Sequence, residues 1–97
     1  MTPLQTVLTI DGIRAYTDAR RFSGALGVCG MDRKTFDFAY QARIVSELNG
    51  GYQVVIETAD EECTEQNLAV FAAKVKAMLD IFDIAATVQT YSNVQGA

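Results

Sequence analysis

The sequence predicts a small α/β domain on the border of α+β. It would be a two-layer sandwich of three to four strands, ending in a parallel β-α-β unit, with helices mainly on one face. Three observations predict this. Residues 5–10 and 52–58 alternate apolar and polar side chains in a β-prone composition. The segment from Leu68 to Leu79 follows the 3.6-residue period of an amphipathic helix. A strand, that helix and a final strand over 84–91 follow in direct succession, the order of a right-handed crossover between parallel strands. With 97 residues, 49% of them apolar, the chain has the size and the core of one domain, residues 1–97, with 92–97 as a tail.

Each element has its own warrant. Gln5-Thr-Val-Leu-Thr-Ile10 reads as the first strand, and Asp11-Gly12 after it is a two-residue turn signal. Residues 13–16 either pair back as a short second strand or lead in extended form into a helix. Thr17 is a good N-cap with Asp18 in the first turn, and Ala19, Phe22 and Leu26 lie near one face. Gly24 and Gly27 weaken that helix, so it is expected to be short. Asp32 to Leu48 reads as a long helix, because Phe36, Tyr40, Ile44 and Leu48 recur every four residues and Asn49-Gly50-Gly51 supplies a helix stop. In that helix Phe38 lies to the side of the apolar stripe. Over 52–58, Tyr52, Val54 and Ile56 point one way and Gln53, Val55 and Glu57 the other. Thr64 caps the next helix, which ends near Asp80. In the last strand Ile84, Ala86 and Val88 oppose Thr87, Gln89 and Tyr91.

Alternating strands leave one sheet face covered and one wetter. The wetter face is expected to carry Val7, Val55, Ala85 and Tyr91, where a second copy, another protein or a small ligand would find apolar surface.

Composition narrows the chemistry. The chain has no histidine, so no Ser-His-Asp triad, Cys-His pair or histidine-bound metal can be built. No catalytic residue, cofactor or metal site is assigned. Cys29 and Cys63 are far apart in sequence and read as two reduced thiols. The glycines at 24, 27 and 30 lack the spacing of a dinucleotide loop or a P-loop. The formal net charge is −4, with two basic and seven acidic residues over 50–97. That balance disfavours nucleic acid as a partner. No apolar run approaches the roughly 20 residues of a membrane span, and Met1-Thr-Pro-Leu-Gln5 does not read as a secretion signal, so a cytoplasmic location is expected. On the predicted helix, Asp37 with Arg33 and Glu47 with Arg43 are spaced for surface ion pairs.

The sharpest charge run is Asp60-Glu61-Glu62, followed by Glu65. It reads either as a solvated lead into a helix or as a contact surface for a basic protein. The second reading places a partner on Asp37, Tyr40, Glu61, Glu62 and Glu65.

Several strings resemble the barstar family of ribonuclease inhibitors: Ile10-Asp11-Gly12 with Ile13-Arg14, Thr17-Asp18, Phe36-Asp37-Phe38-Ala39-Tyr40, Thr64-Glu65 and Val70-Phe71. The resemblance spans about residues 6–91 with gaps. It implies parallel strands and action through a protein interface, with Glu65 matching an acid at the rim. The family's aspartate directly after its helix aromatic is missing, since Gln41 follows Tyr40. Nuclease inhibition of that type is therefore undermined.

Three functional readings follow. The first is a non-enzymatic acidic binding module of inhibitor or immunity type, acting on another protein. The second is a ferredoxin-like dimeric domain that binds a small molecule or regulates, and it requires 13–16 to be a strand. The third is an enzyme using carboxylates and tyrosines alone, for which spacing identifies no convergent pair.

Overall fold

Strand β1 (Gln5–Ile13) opens the chain and runs through the middle of a four-stranded sheet. The computed structural model describes residues 4–31 and 38–91, with the backbone alone over 27–31. After β1 come α1 (Tyr16–Met31), β2 (Gln41–Ser46), β3 (Tyr52–Thr58), α2 (Glu65–Phe82) and β4 (Thr87–Thr90). The sheet order is β2-β3-β1-β4, and every neighbouring pair is antiparallel. Each helix thus carries the chain over one intervening strand. This is the split β-α-β, or ferredoxin-like, arrangement.

The expected parallel β-α-β unit at the C-terminus is corrected by this order. β3 and β4 do not pair, because β1 lies between them and is antiparallel to both. β3 and β4 run in the same direction, but with β1 between them, so the described sheet has no neighbouring parallel pair of the kind the inhibitor resemblance implies. The cause is visible in β1, where Val7, Leu8, Thr9 and Ile10 are consecutively buried. A strand buried on both faces gains most from a central position.

The Asp11-Gly12 signal is a bulge rather than a hairpin. β1 continues to Ile13, and the register with β3 shifts between Ile10 and Ile13. Gly12 sits there at φ +82°, a backbone state that glycine adopts without strain. Residues 13–16 therefore form no second strand; Tyr16 already begins α1. The Ala15 carbonyl accepts from the amides of Asp18 and Ala19, so Thr17 lies inside the helix rather than at its cap. α1 is also longer than expected and runs through Gly24 and Gly27, because Ala19, Phe22 and Leu26 are fully buried along it.

The largest departure is the long helix expected over Asp32–Leu48. Residues 32–37 lie outside the described residues, and 41–46 form β2. β2 pairs with β3 in unbroken register from Gln41 opposite Glu57 to Ser46 opposite Tyr52. Ala42 and Ile44 pack on the core from one face of the strand, a period of two that the same residues satisfy as well as the helical one. Asn49-Gly50-Gly51 is the hairpin turn: the Glu47 amide donates to the Gly51 carbonyl at 2.8 Å, with Gly50 at φ +91°. Phe38, expected to the side of a helical stripe, is 1% exposed in the core.

The rest follows the sequence reading. β3 occupies 52–58, with Tyr52, Val54 and Ile56 toward the core. Thr64 caps α2 by accepting from the Asn67 amide at 3.1 Å. The helix closes at Asp83, whose φ of 58° is left-handed. Ile84, Ala86 and Val88 join the core, although regular pairing begins only at Thr87. One core cluster unites Leu8, Ile10, Val54 and Ile56 of the sheet with Phe22 and Leu26 of α1 and Phe71 and Val75 of α2.

Candidate functional site

At one end of the sheet, where β1 begins and β3 ends, polar bonds tie two chain segments together. The Thr58 hydroxyl donates to the Ala39 carbonyl and accepts from the Asp60 amide. The Asp60 carboxylate accepts from the Ala39 amide at 2.8 Å through one oxygen and from the Glu62 amide at 3.0 Å through the other. The Cys63 amide donates to the Asp60 carbonyl, and the Asn67 side chain donates to the Glu62 carbonyl at 2.6 Å. These bonds pin the lead into β2 against the turn before α2. Glu61, Glu62 and Glu65 stand exposed on that turn and on the first residue of the helix.

Tyr40 is brought to the same end, half-buried. Its phenol donates to the Leu26 carbonyl at 2.7 Å, and its ring lies 4.9 Å from Phe71 and 5.8 Å from Phe38. Tyr40 therefore offers a partner part of its surface, and its hydroxyl is already engaged. A cleft of about 590 Å³ opens beside it, lined by Tyr40, Gln41, Glu57, Thr58 and Asp60 and by Leu4, which is 51% exposed. Of the five residues expected to hold a partner, Tyr40, Glu61, Glu62 and Glu65 share this end; Asp37 lies outside the described residues. The sequence reading had Asp60 in the acidic run but not among the partner-binding residues, and it missed Leu4 as part of the site. Asp60 was legible as a short acid two residues after a strand, a place where such side chains bond the backbone.

The four residues expected on the wetter sheet face do not stay together. A register shift between Thr6 and Leu8 turns Val7 into the main core. Ala85 is in the irregular segment before β4. Val55 does lie on the side away from the helices, paired with Thr9, but both are buried, at 5% and 3% exposure. Tyr91 reaches over this side, its hydroxyl 3.1 Å from that of Thr9. The remaining surface is polar and internally bonded: Arg43 pairs with Glu57 at 2.7 Å, and Gln53 donates to Asp11 at 2.7 Å. Arg43 thus meets Glu57 rather than Glu47, because it lies in a strand paired with β3 and not on a helix, where a residue four along would be its neighbour. Glu47 accepts from the Gly12 amide instead. The expected Arg33–Asp37 pair lies outside the described residues.

The opposite end holds two adjoining clefts. One of about 550 Å³ is lined by Asp11, Gly12, Arg14, Asp18, Asp83 and residues 84–87; one of about 450 Å³ is lined by Gly12, Arg14 and residues 49–51. Arg14 borders both and was not singled out from sequence.

Cys63 is buried in the core. Burial first, and the Asp60 charge second, push its thiol from 9.0 up to about 11. At neutral pH it is a protonated, inert packing group. The folded state holds this proton more tightly than the unfolded chain. Its contribution to stability is therefore complete below about pH 9 and is lost as pH rises toward 11. Urea unfolding at pH 8 and pH 10.5 is expected to show this loss in a chain with Cys29→Ala, and a smaller one once Cys63→Ala is added. Equal slopes with pH in the two chains would show that Cys63 is not the group responsible.

Among the described residues no group of three or more acidic or thiol side chains could hold a metal, and no helix is long and apolar enough to cross a membrane. No protein-family model matches the chain, and comparison with curated proteins and with solved structures returned no match.

Proposed function

We propose that this chain is a non-enzymatic binding module that takes a basic protein partner at its acidic end. The observation that carries the reading is that the exposed Glu61 and Glu62, with Glu65 at the start of α2, follow directly on Asp60, which lines the cleft bordered by Leu4 and Tyr40. Carboxylates at a rim steer a basic surface and set orientation, while the Leu4 and Tyr40 side of the cleft contributes the water-excluding contact. The backbone bonds of Asp60 hold the acidic turn in place before a partner arrives, which lowers the ordering cost of association.

The test is charge reversal. A variant carrying Glu61→Lys, Glu62→Lys and Glu65→Lys is expected to lose capture of the basic protein that the unaltered chain retains from cell extract. Capture by the unaltered chain should weaken with added salt. Stability should change by less than about 2 kcal/mol, the main cost being a lysine in the first turn of α2. Undiminished capture by the variant removes these three residues from the interface.

A second reading, a ferredoxin-like dimeric domain that binds a small molecule or regulates, is favoured by the sheet order and by the twin clefts at Arg14. The strand it requires is supplied by β2, not by residues 13–16. It demands a dimer, so a chain that is monomeric at all concentrations argues against it.

A further inference from the structure

We infer that two copies of this chain associate through the outer edge of β2, joining their sheets into one of eight strands. The inference is independent of the acidic end. β2 is the longer of the two edge strands, six residues against four for β4. It is also regular, since its pairing with β3 runs through six positions without a register shift. Edge strands are ordinarily guarded against pairing by outward charge, proline or a bulge. β2 has neither proline nor bulge, and its one charged side chain, Arg43, is turned onto Glu57 of β3 at 2.7 Å. Among the described residues no strand pairs with its outer side, so a row of backbone donors and acceptors is left open there.

The chemistry of that edge selects a second copy over a foreign strand. The acidic end would recruit a basic segment by charge. β2 has no net charge to do so, because Arg43 is balanced by Glu57. Two acidic copies therefore meet at β2 without net repulsion across the seam. Antiparallel pairing of a strand with itself is two-fold symmetric, so every contact is made twice. Side-chain alternation and charge then limit the register. Centring on Arg43 would set two guanidinium groups opposite each other, which is unfavourable. Centring on Ile44 sets Ile44 against Ile44 of the second copy on the helix side, and Arg43 against its Val45 on the other. Ile44 and Val45 are both half-buried in the single chain and would lose more water in the pair.

The measurement is solution mass by light scattering across a wide concentration range, with amide exchange read along β2. The mass is expected to rise from 10.6 kDa toward twice that value, and alternate amides of residues 41–46 should become protected as it does. Val45→Lys places a charge opposite Arg43 of the second copy and should weaken association about tenfold or more. Val45→Glu places the opposite charge there and should preserve it. The Glu61, Glu62 and Glu65 reversal should leave association unchanged. A mass of one chain throughout, with all outward β2 amides exchanging freely, overturns the inference. So does a dimer in which the β2 amides stay unprotected, or one that Val45→Lys and Val45→Glu affect alike. If either variant fails to fold, the mass and exchange of the unaltered chain still decide.

Discussion

Phe71→Ala is expected to lower the stability of this domain by about 3–5 kcal/mol. Domains of this kind are stable by about 5–15 kcal/mol, so the variant will sit near the limit of folding at 37 °C. Phe71 is fully buried, and its ring is 5.4 Å from Phe38 and 4.9 Å from Tyr40. Truncation removes the body that these two rings pack against and leaves a cavity between α2 and the lead into β2. Refilling it would require moving the Ala39 backbone, which Thr58 and Asp60 hold from the other side. The site is thus poorly able to collapse, and the cost should fall in the upper part of the range. Urea unfolding should show a lower midpoint with an unchanged slope. A loss under about 1 kcal/mol would mean that Phe71 is not part of a close-packed core.

Thr58→Val should cost about 1–3 kcal/mol, although it changes the side chain's shape very little. Thr58 is 4% exposed, and its hydroxyl serves two backbone groups. Valine fills the same volume but leaves the Ala39 carbonyl and the Asp60 amide without the hydroxyl that both of them use. The effect should also be local. Faster exchange of the Asp60 and Glu62 amides is expected, as is weaker capture of a basic partner, because the turn bearing Glu61 and Glu62 loses its anchor. Thr58→Ser, which keeps the hydroxyl and drops a methyl group, should retain the exchange protection. Equal protection in the valine and serine variants would show that the hydroxyl holds nothing.

How much of this could be read from the chain depends on whether a residue's neighbours are near in sequence. β3 and α2 were legible because their signals are local: the alternation of Tyr52 to Glu57, the Thr64 cap, and the period of Leu68, Phe71, Val75 and Leu79. β2 was not legible. Tyr40, Ile44 and Leu48 fit a helical spacing, and Ala42 with Ile44 fit a strand equally well. The choice is made by pairing with β3, a non-local contact that no window of sequence contains. The same holds for the place of β1 between β3 and β4, and for Val7, whose direction is set by a bulge. At the candidate site the acidic run was plain from composition, whereas the approach of Tyr40 to it arises through the bonds that Asp60 and Thr58 make to Ala39.

The place of β1 also bears on how the chain comes to be folded as it is made. On one side β1 pairs with β4, and the contact between Thr9 and Tyr91 spans 82 positions. That flank of β1 stays open until residues 87–90 have left the ribosome. The contacts that close it are the most distant kind, which form slowly because a long loop must first be closed. During synthesis β1 with β3 is a sheet that ends in an apolar strand. A stalled or clipped chain lacking residues past Asp83 would keep Leu8 and Ile10 on that open flank and be prone to aggregate. The four residues of β4 are thus the ones that close the open flank of β1.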